Sequence, residues 1–287
     1  MQSQYGKYVE IQDISFSYGQ SEMITALNNP QGKAISYRFK RDAKGWRVFA
    51  SFGIEESKTI SCEEIGVIGI DLNADHVAYT ETNRFGNPIS KKIFSWVSYG
   101  KTNEQLKAIT GEICKEIIDK ALSAKKPLVI ENLAFQEKKG TLRGGYNKFS
   151  RLLSSFAYGL FFKMLQARAF KHGIQVHKVN PAYTSTMGCV NYAKRYGLSV
   201  HLAAALCIAR RYQKFSERPN SATGIIPDGK GGHVAFALPE RNRARHVWHF
   251  WGRIKKKIST VLAAHYRAKY NRSSSSLKST RETGNSR

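Results

Sequence analysis

The chain has 287 residues, with 46 Lys and Arg against 21 Asp and Glu, which gives a formal net charge of +25. This length fits one large domain or two smaller ones, and the 41% hydrophobic content excludes wholesale disorder. No apolar run is long enough for a membrane helix, and the first ten residues lack the apolar segment of a signal peptide. The four cysteines contain no CxxC pair, which excludes a zinc ribbon and makes a disulfide framework a poor fit.

The surplus of positive charge favours nucleic acid over an anionic membrane surface as the partner. A generic basic protein, such as a ribosome-associated one, stays open as an alternative. The charge is unevenly placed, because residues 141–216 contain twelve Lys or Arg and neither Asp nor Glu. We therefore expect any carboxylate chemistry to be built mainly from the first half of the chain, and the cysteine usage favours an intracellular protein.

The N-terminal residues 1–60 read as the remnant of a β domain. Residues 1–33 are polar and only weakly periodic, whereas residues 35–39 and 46–52 are rich in β-formers and are separated by a short polar turn that contains Gly45. This pattern predicts a hairpin. Because a lone hairpin is marginal in water, we expect it to belong to a sheet whose other strands lie upstream.

Residues 61–216 follow the order β-β-β-α-β-α-β-α. Strands are predicted over residues 65–72, 76–82, 88–97, 127–131 and 174–179, and helices over residues 103–124, 149–172 and 199–215. Ser199 is a plausible N-cap for the third helix. This order is typical of a ribonuclease H-like (RuvC) α/β fold, in which a mixed sheet is flanked by helices and its first three strands form an antiparallel meander.

The C-terminal part is predicted to consist of a loop, a helix and a tail. Residues 217–237 contain Pro, Gly, Ser and Asn and read as a loop, and residues 241–270 have the spacing of a basic amphipathic helix. Loop and helix together form the predicted segment 217–272. The Ser-rich residues 273–287 are predicted to be a disordered tail.

Two carboxylates end predicted strands that are neighbours in a ribonuclease H-like sheet. Asp71 lies near the end of the first strand of the meander, and Glu131 ends the fourth strand. Side chains placed in this way converge on one face and can share Mg²⁺ or Mn²⁺, because hard divalent cations prefer oxygen ligands. Either residue alone is better explained as a solvent-facing strand end, whereas both together at these two strands favour the metal site.

Four sequence blocks resemble those of one protein family. The blocks, in chain order, are GIDLNADHVAYTE, VIENL, VNPAYTS and HLAAALCIA. They resemble the successive blocks of the TnpB/OrfB proteins, which are transposon-associated proteins with a RuvC nuclease domain, related to type V CRISPR nucleases. The resemblance covers about residues 34–215. It implies descent from an RNA-guided, Mg²⁺-dependent DNA endonuclease, with Asp71 as the first catalytic Asp, Glu131 as the catalytic Glu, and DNA and a guide RNA as partners.

The chain departs from the family pattern in three ways. Only Cys189 follows the PxYTS segment, so the family's zinc ribbon is missing and no zinc is expected. The third catalytic Asp corresponds to His201, which could act as a third metal ligand or as the base for the attacking water. Glu217 lies 16 residues further on, about 24 Å away along a continuous helix, so it could replace that Asp only if the helix breaks. The relatives carry a longer N-terminal region with a helical lobe, and since this chain begins close to the end of that region we expect an N-terminally truncated protein. The resemblance also implies a cytoplasmic, nucleoid-associated protein of a prokaryote.

These departures leave two functions open. The first is a TnpB-like nuclease in which Asp71, Glu131 and His201 are catalytic. The second is a catalytically inactive RNA- or DNA-binding regulator, or a decayed transposon remnant. The oligomeric state is not predictable from the sequence.

Three basic patches are the predicted contacts with nucleic acid. Their members are Lys138, Lys139, Arg143, Lys148, Arg151, Arg210, Arg211, Arg253, Lys255 and Lys256. Cations of this kind contact phosphates, and interleaved aromatic residues such as Trp248 and Trp251 could add stacking. A solvated helix face is the alternative for the first patch, and a favourable interaction with the helix dipole is the alternative for Arg210 and Arg211.

Overall fold

The structure is a computed structural model of the whole chain. It describes residues 12–29, 32, 34–43, 45–53, 58–96, 100–132, 147–215, 217–219 and 221–282, of which residues 147–157 and 271–282 are described by their backbone alone. The chain divides into two compact units, Met1–Glu56 and Ser57–Arg287. The second unit therefore contains both the predicted ribonuclease H-like segment and the predicted segment 217–272.

The first unit contains one helix and the predicted hairpin. Its elements are α1 (Gln20–Leu27), β1 (Ser36–Asp42) and β2 (Gly45–Ser51). The two strands pair antiparallel, from Ser36 opposite Ser51 to Asp42 opposite Gly45. Gly45 has φ 112, a conformation that favours glycine, and it follows the turn that closes the hairpin.

The second unit is built on a five-stranded mixed sheet. The strands are β3 (Ile68–Leu72), β4 (His76–Thr82), β5 (Pro88–Ser95), β6 (Leu128–Glu131) and β7 (Val176–Val179). Their spatial order is β5-β4-β3-β6-β7, in which β3, β4 and β5 pair antiparallel, whereas β6 pairs parallel with both β3 and β7. An antiparallel meander followed by parallel strands is the arrangement predicted for a ribonuclease H-like fold, and the structure confirms it.

Two long helices cover one face of this sheet. They are α2 (Asn103–Ala124) and α3 (Asn147–Lys171). Thr102 caps α2 in a reciprocal capping box with Gln105, which explains why the predicted start at residue 103 is correct. Ile68, Ile70 and Leu128 of the sheet pack with Ile117 and Leu165 of these helices into one buried core.

A short alanine-rich helix, α6 (Val200–Tyr212), covers the other face. Ser199 caps it, as predicted, because its side chain accepts a hydrogen bond from the backbone of Leu202. Small residues let this helix approach the central strand closely. A Cβ atom added at Gly69 of β3 would lie 2.0 Å from the backbone oxygen of Ala205.

The segment before α6 is helical. It comprises α4 (Thr184–Gly188), a π-helical turn (Cys189–Ala193) and α5 (Lys194–Tyr196). The family resemblance predicted only the missing ribbon at this position and gave no replacement. Cys189 is buried here and packs in a core with Leu206 and Trp251, and burial raises the pKa of its thiol to about 11.

The C-terminal segment differs from the prediction in two respects. Residues 217–237 are not a continuous loop, because they contain the antiparallel hairpin β8 (Thr223–Pro227) and β9 (His233–Ala237). The following helix, α7, spans Val247–Glu282 and thus runs through residues 273–282, where a disordered tail was expected. Extending an existing helix adds a hydrogen bond per residue without a new nucleation cost, so modest helix formers such as Ser can continue it.

One buried carboxylate joins the new hairpin to α7. Asp228, in the hairpin turn, accepts backbone hydrogen bonds from Lys230 and Gly232 and lies 3.2 Å from Nζ of Lys269 on α7. These bonds, first of all the one from Lys230, hold the pKa of Asp228 well below its usual range.

In the part of the chain that the structure describes, no helix has both the length and the apolar character needed to cross a membrane.

Candidate functional site

Asp71 and Glu131 end adjacent parallel strands at the centre of the sheet. Ile70 of β3 pairs with Ile130 of β6, so the next residue on each strand, Asp71 and Glu131, lies beside the other at the carboxyl ends of the strands. Side chains alternate along a strand, and both residues therefore share the sheet face of Gly69, which α6 covers. The structure thus brings together the two carboxylates that the sequence predicts.

His201, in the first turn of α6, faces Asp71. Its Nδ1 atom lies 3.5 Å from Oδ2 of Asp71, whose side chain is buried and also accepts a hydrogen bond of 2.9 Å from Nδ2 of Asn73. The hydrogen bond to Asp71 raises the pKa of His201, and burial opposes this change only in part. The structure therefore places His201 beside Asp71, and this contact raises the pKa of its imidazole.

A second histidine, which the sequence analysis did not single out, lies against the first. The ring centroids of His76 and His201 are 4.3 Å apart, edge to face. Nδ1 of His76 lies 2.7 Å from Asp75, whose pKa is lowered by this hydrogen bond. Nε2 of His76 is buried and has no hydrogen-bond partner within the described parts of the chain. The signal was present, because Asp75 lies in the short turn after the strand that carries Asp71, and His76 begins the next strand.

Glu131 is held by the segment that follows β7. The hydroxyl of Thr184, at the start of α4, donates a hydrogen bond to Oε1 of Glu131 and lies 3.2 Å from the backbone oxygen of Pro181. Pro181 and Thr184 belong to the PAYTS block, so this block acts on the site by orienting one of its two carboxylates.

Glu217 returns to α6, although a continuous helix would carry it away. The helix ends at Tyr212, and the chain reverses near Lys214, which has φ 62. Oε1 of Glu217 then accepts a hydrogen bond of 3.0 Å from the buried Sγ of Cys207, and Oε2 lies 3.0 Å from the guanidinium of Arg211. The helix break that the sequence left as a condition exists, and it places Glu217 beside the middle of α6, away from its first turn.

The donor types of the site suit a hard divalent cation. Mg²⁺ is commonly bound by one or two carboxylates, with water and substrate phosphate completing its shell, and Asp71 and Glu131 supply two such carboxylates on neighbouring strands. Among the described residues, no group of three or more His, Cys, Asp or Glu side chains is arranged to hold a metal ion. Asp71 and Glu131 are therefore the two carboxylates that the described residues bring to these strand ends.

The predicted basic contacts fall into three groups. Lys138, Lys139 and Arg143 lie outside the described residues, and Lys148 and Arg151 are described by their backbone alone. Arg210 donates to the hydroxyl of Tyr192 and to the backbone oxygen of Gly86, and Arg211 to backbone oxygens of the segment after β7. Both guanidinium groups thus already have partners within the protein. Arg253, Lys255 and Lys256 are exposed on α7.

Comparison with known proteins found neither a matching family model nor a matching curated protein. Solved structures with a similar fold include Thermus thermophilus RuvC in complex with a Holliday junction substrate, with 16% identity and a TM-score of 0.37 over 50% of this chain and 90% of that one. A Cas12f1–sgRNA–target DNA complex has 15% identity and a TM-score of 0.38 over 61% of this chain and 56% of that one. A CRISPR–Cas12f ternary complex has 16% identity and a TM-score of 0.36 over 66% of this chain and 47% of that one.

Proposed function

We propose that the chain is a TnpB-like nucleic-acid-binding protein of a transposable element, derived from an RNA-guided, metal-dependent DNA endonuclease. The observation that carries this proposal is the pair Asp71 and Glu131 at the ends of β3 and β6, with His201 of α6 beside Asp71. Two carboxylates on adjacent central strands, with a polar side chain contributed by the facing helix, suit phosphodiester hydrolysis assisted by Mg²⁺ or Mn²⁺.

In this proposal each site residue has a distinct role. Asp71 and Glu131 would hold the metal, with Asn73 and Thr184 fixing the orientation of the two carboxylates. A bound divalent ion would neutralise charge on the scissile phosphate and lower the pKa of the attacking water. His201 would serve as a third ligand or as the base for that water. The ring of His76 packs edge to face against the imidazole of His201 and would hold it in position.

The charge of the molecule supports DNA and a guide RNA as partners. A net charge of +25 requires a polyanion nearby to offset self-repulsion. Arg253, Lys255 and Lys256 are exposed cations on α7 that suit contact with phosphates.

A catalytically inactive nucleic-acid binder is the second candidate, and one observation favours it. A site with three acids would hold metal ions with three negative charges. Here the third position is His201, which pairs with Asp71, so the site has one negative charge fewer. Such a pair stabilises the site without a metal and weakens its affinity for Mg²⁺. A protein of this kind would bind nucleic acid and leave it uncut.

Nicking of supercoiled plasmid DNA tests the proposal. The purified chain, with the RNA that copurifies with it, is incubated with Mg²⁺ or Mn²⁺, and Asp71→Ala and Glu131→Gln are the control variants. We expect nicking by the wild type and a loss of at least about a hundredfold in both variants, as for removal of a group that stabilises transition-state charge. Nicking unchanged in Asp71→Ala would remove the active-site assignment, and nucleic-acid binding without nicking would establish the second candidate.

A further inference from the structure

A cleft of about 360 Å³ lies between the end of α6 and the start of α7. Its wall includes Asn180, Arg211, Phe215, Arg218, Arg241 and Trp248. A second cleft, of about 320 Å³, shares Arg218 and Arg241 with the first. The two clefts therefore form one groove along the start of α7, which we call the α7 groove.

The two tryptophans at the start of α7 have opposite environments. Trp251 is 1% exposed and packs in the core with Leu206, whereas Trp248 is 40% exposed. Since Trp251 anchors the helix, the indole of Trp248 is held at the surface on a rigid support. The ring of His246 packs edge to face against this indole, with the two ring centroids 4.9 Å apart. An exposed indole on a rigid element suits stacking with a planar ligand.

The charge of the α7 groove is positive. Arg218 and Arg241 are exposed, and Arg241 forms no ion pair with any residue that the structure describes. Two acidic residues also line the groove: the carboxylate of Glu217 is engaged by Arg211 and Cys207, each at 3.0 Å, and Glu240 is exposed, so the three arginines Arg211, Arg218 and Arg241 exceed the acids by one. An indole beside exposed guanidinium groups is the combination that binds a nucleotide, because the base stacks and the phosphate pairs with arginine.

The groove begins at the sheet edge that carries the candidate site. Asn180 directly follows β7, and the backbone oxygen of Val179 accepts a hydrogen bond of 2.7 Å from the amide of Asn132, the residue after Glu131. A strand lying in the groove would therefore lead toward Glu131 and Asp71.

We propose that the α7 groove binds single-stranded DNA, with one unpaired base stacked on Trp248 and the flanking phosphates on Arg218 and Arg241. The inference rests on the proposed function, since the bound strand is the one presented to Asp71 and Glu131. A single strand is required because the faces of bases in a duplex are already covered by their neighbours.

Fluorescence anisotropy with a labelled oligothymidylate of about 12 nucleotides tests this assignment. Trp248→Ala should weaken binding about tenfold, and Trp248→Phe should recover part of the loss, because stacking needs an aromatic face. Arg241→Ala should reduce the slope of log Kobs against log salt by about 0.7, as expected when one phosphate contact to a single strand is removed.

Matched variants separate the groove from the general charge of the surface. Arg243→Ala removes the same charge two residues from Arg241, and His249→Ala truncates the exposed neighbour of Trp248, but neither residue lines the groove. Both should bind the oligonucleotide within about twofold of the wild type. Thermal melting of each variant confirms that α7 remains packed.

The failure of this proposal is distinguishable from the failure of the proposed function. If the wild type binds no nucleic acid, both fail. If it binds, but Trp248→Ala and Arg241→Ala bind as tightly as their controls, only the groove assignment fails. Competition by duplex DNA at equal strength would overturn the stacking, and tighter binding of the corresponding RNA would overturn the choice of DNA.

Discussion

The pairing of His201 with Asp71 decides how the site behaves without a metal. A carboxylate at position 201 would place a like charge beside Asp71, which is buried, whereas an imidazole can donate a hydrogen bond and carry a compensating charge. The histidine therefore lets the site fold compactly without an ion. It also removes one of the negative charges that would attract Mg²⁺.

Replacing His201 by Asp should make the stability of the fold depend on metal. We expect His201→Asp to lose about 1 kcal/mol in metal-free buffer, the scale of a half-exposed charge pair, which corresponds to a Tm lower by about 2–4 °C. Mg²⁺ should restore this loss, because the added carboxylate is a further oxygen ligand. His201→Asn, which is close in size and uncharged, is the control. Equal Mg²⁺-dependent shifts in the two variants, measured by thermal melting, would contradict a metal site at this position.

The residues of the site differ in how far the sequence could reveal them. Asp71 and Glu131 follow from strand ends, which hydrophobic periodicity marks. His201 follows only from the resemblance of its block to the TnpB/OrfB family, in which that position is the third catalytic Asp. Thr184 at the site and Glu217 beside the middle of α6 could not be placed, because each follows a chain reversal next to a residue with positive φ, Tyr183 and Lys214. Local periodicity carries no information on such reversals.

At the scale of elements, the prediction was most accurate where burial and capping agree. Helix α2 begins and ends as predicted because a capping box precedes a regular apolar stripe. The hairpin β8–β9 was missed because its strands are short and rich in Gly, Pro and Ala, residues that weaken a strand pattern. The hairpin is stabilised by tertiary contacts such as that of Asp228 with Lys269 of α7, and a local sequence pattern does not reveal such contacts.

The close packing of α6 on β3 predicts a sharp effect of one methyl group. Gly69→Ala would bring Cβ to 2.0 Å from the backbone oxygen of Ala205 and 2.9 Å from the amide nitrogen of Ala209, and neither atom belongs to a flexible side chain. We expect a loss of about 3 kcal/mol or more, at the upper end for overpacked cores. Because α6 carries His201, nucleic-acid cleavage should fall with stability.

Gly159→Ala is the control for this substitution. Gly159 is in helix α3, and a Cβ atom there meets no other atom within 4 Å. The higher helix propensity of alanine should stabilise the fold by up to about 1 kcal/mol. Urea unfolding of both variants measures the difference. A stable Gly69→Ala protein would mean that α6 can move away from β3, and hence that the position of His201 beside Asp71 is not fixed.

At the scale of the whole molecule, the distribution of charge joins stability to binding. With 46 basic and 21 acidic residues, the folded chain repels itself. The exposed arginines and lysines of α7 and the α7 groove place part of this charge where a polyanion can neutralise it. The free protein and the protein bound to DNA should therefore respond to salt in opposite directions.

For the free protein, we expect the Tm to rise by a few degrees as chloride salt increases from about 0.01 to 0.15 M. The Debye length falls from about 30 Å to about 8 Å over this range, which screens the repulsion across the molecule.

With single-stranded DNA at about a hundred times its Kd in low salt, binding should raise the Tm by about 5–10 °C. This gain should fade as salt increases, because counterion release no longer favours the complex. Differential scanning fluorimetry over one salt series, with and without DNA, measures both trends. A Tm of the free protein that falls with salt would mean that its charges are, on balance, attractively paired, and the surplus of +25 could then not be an argument for a polyanionic partner.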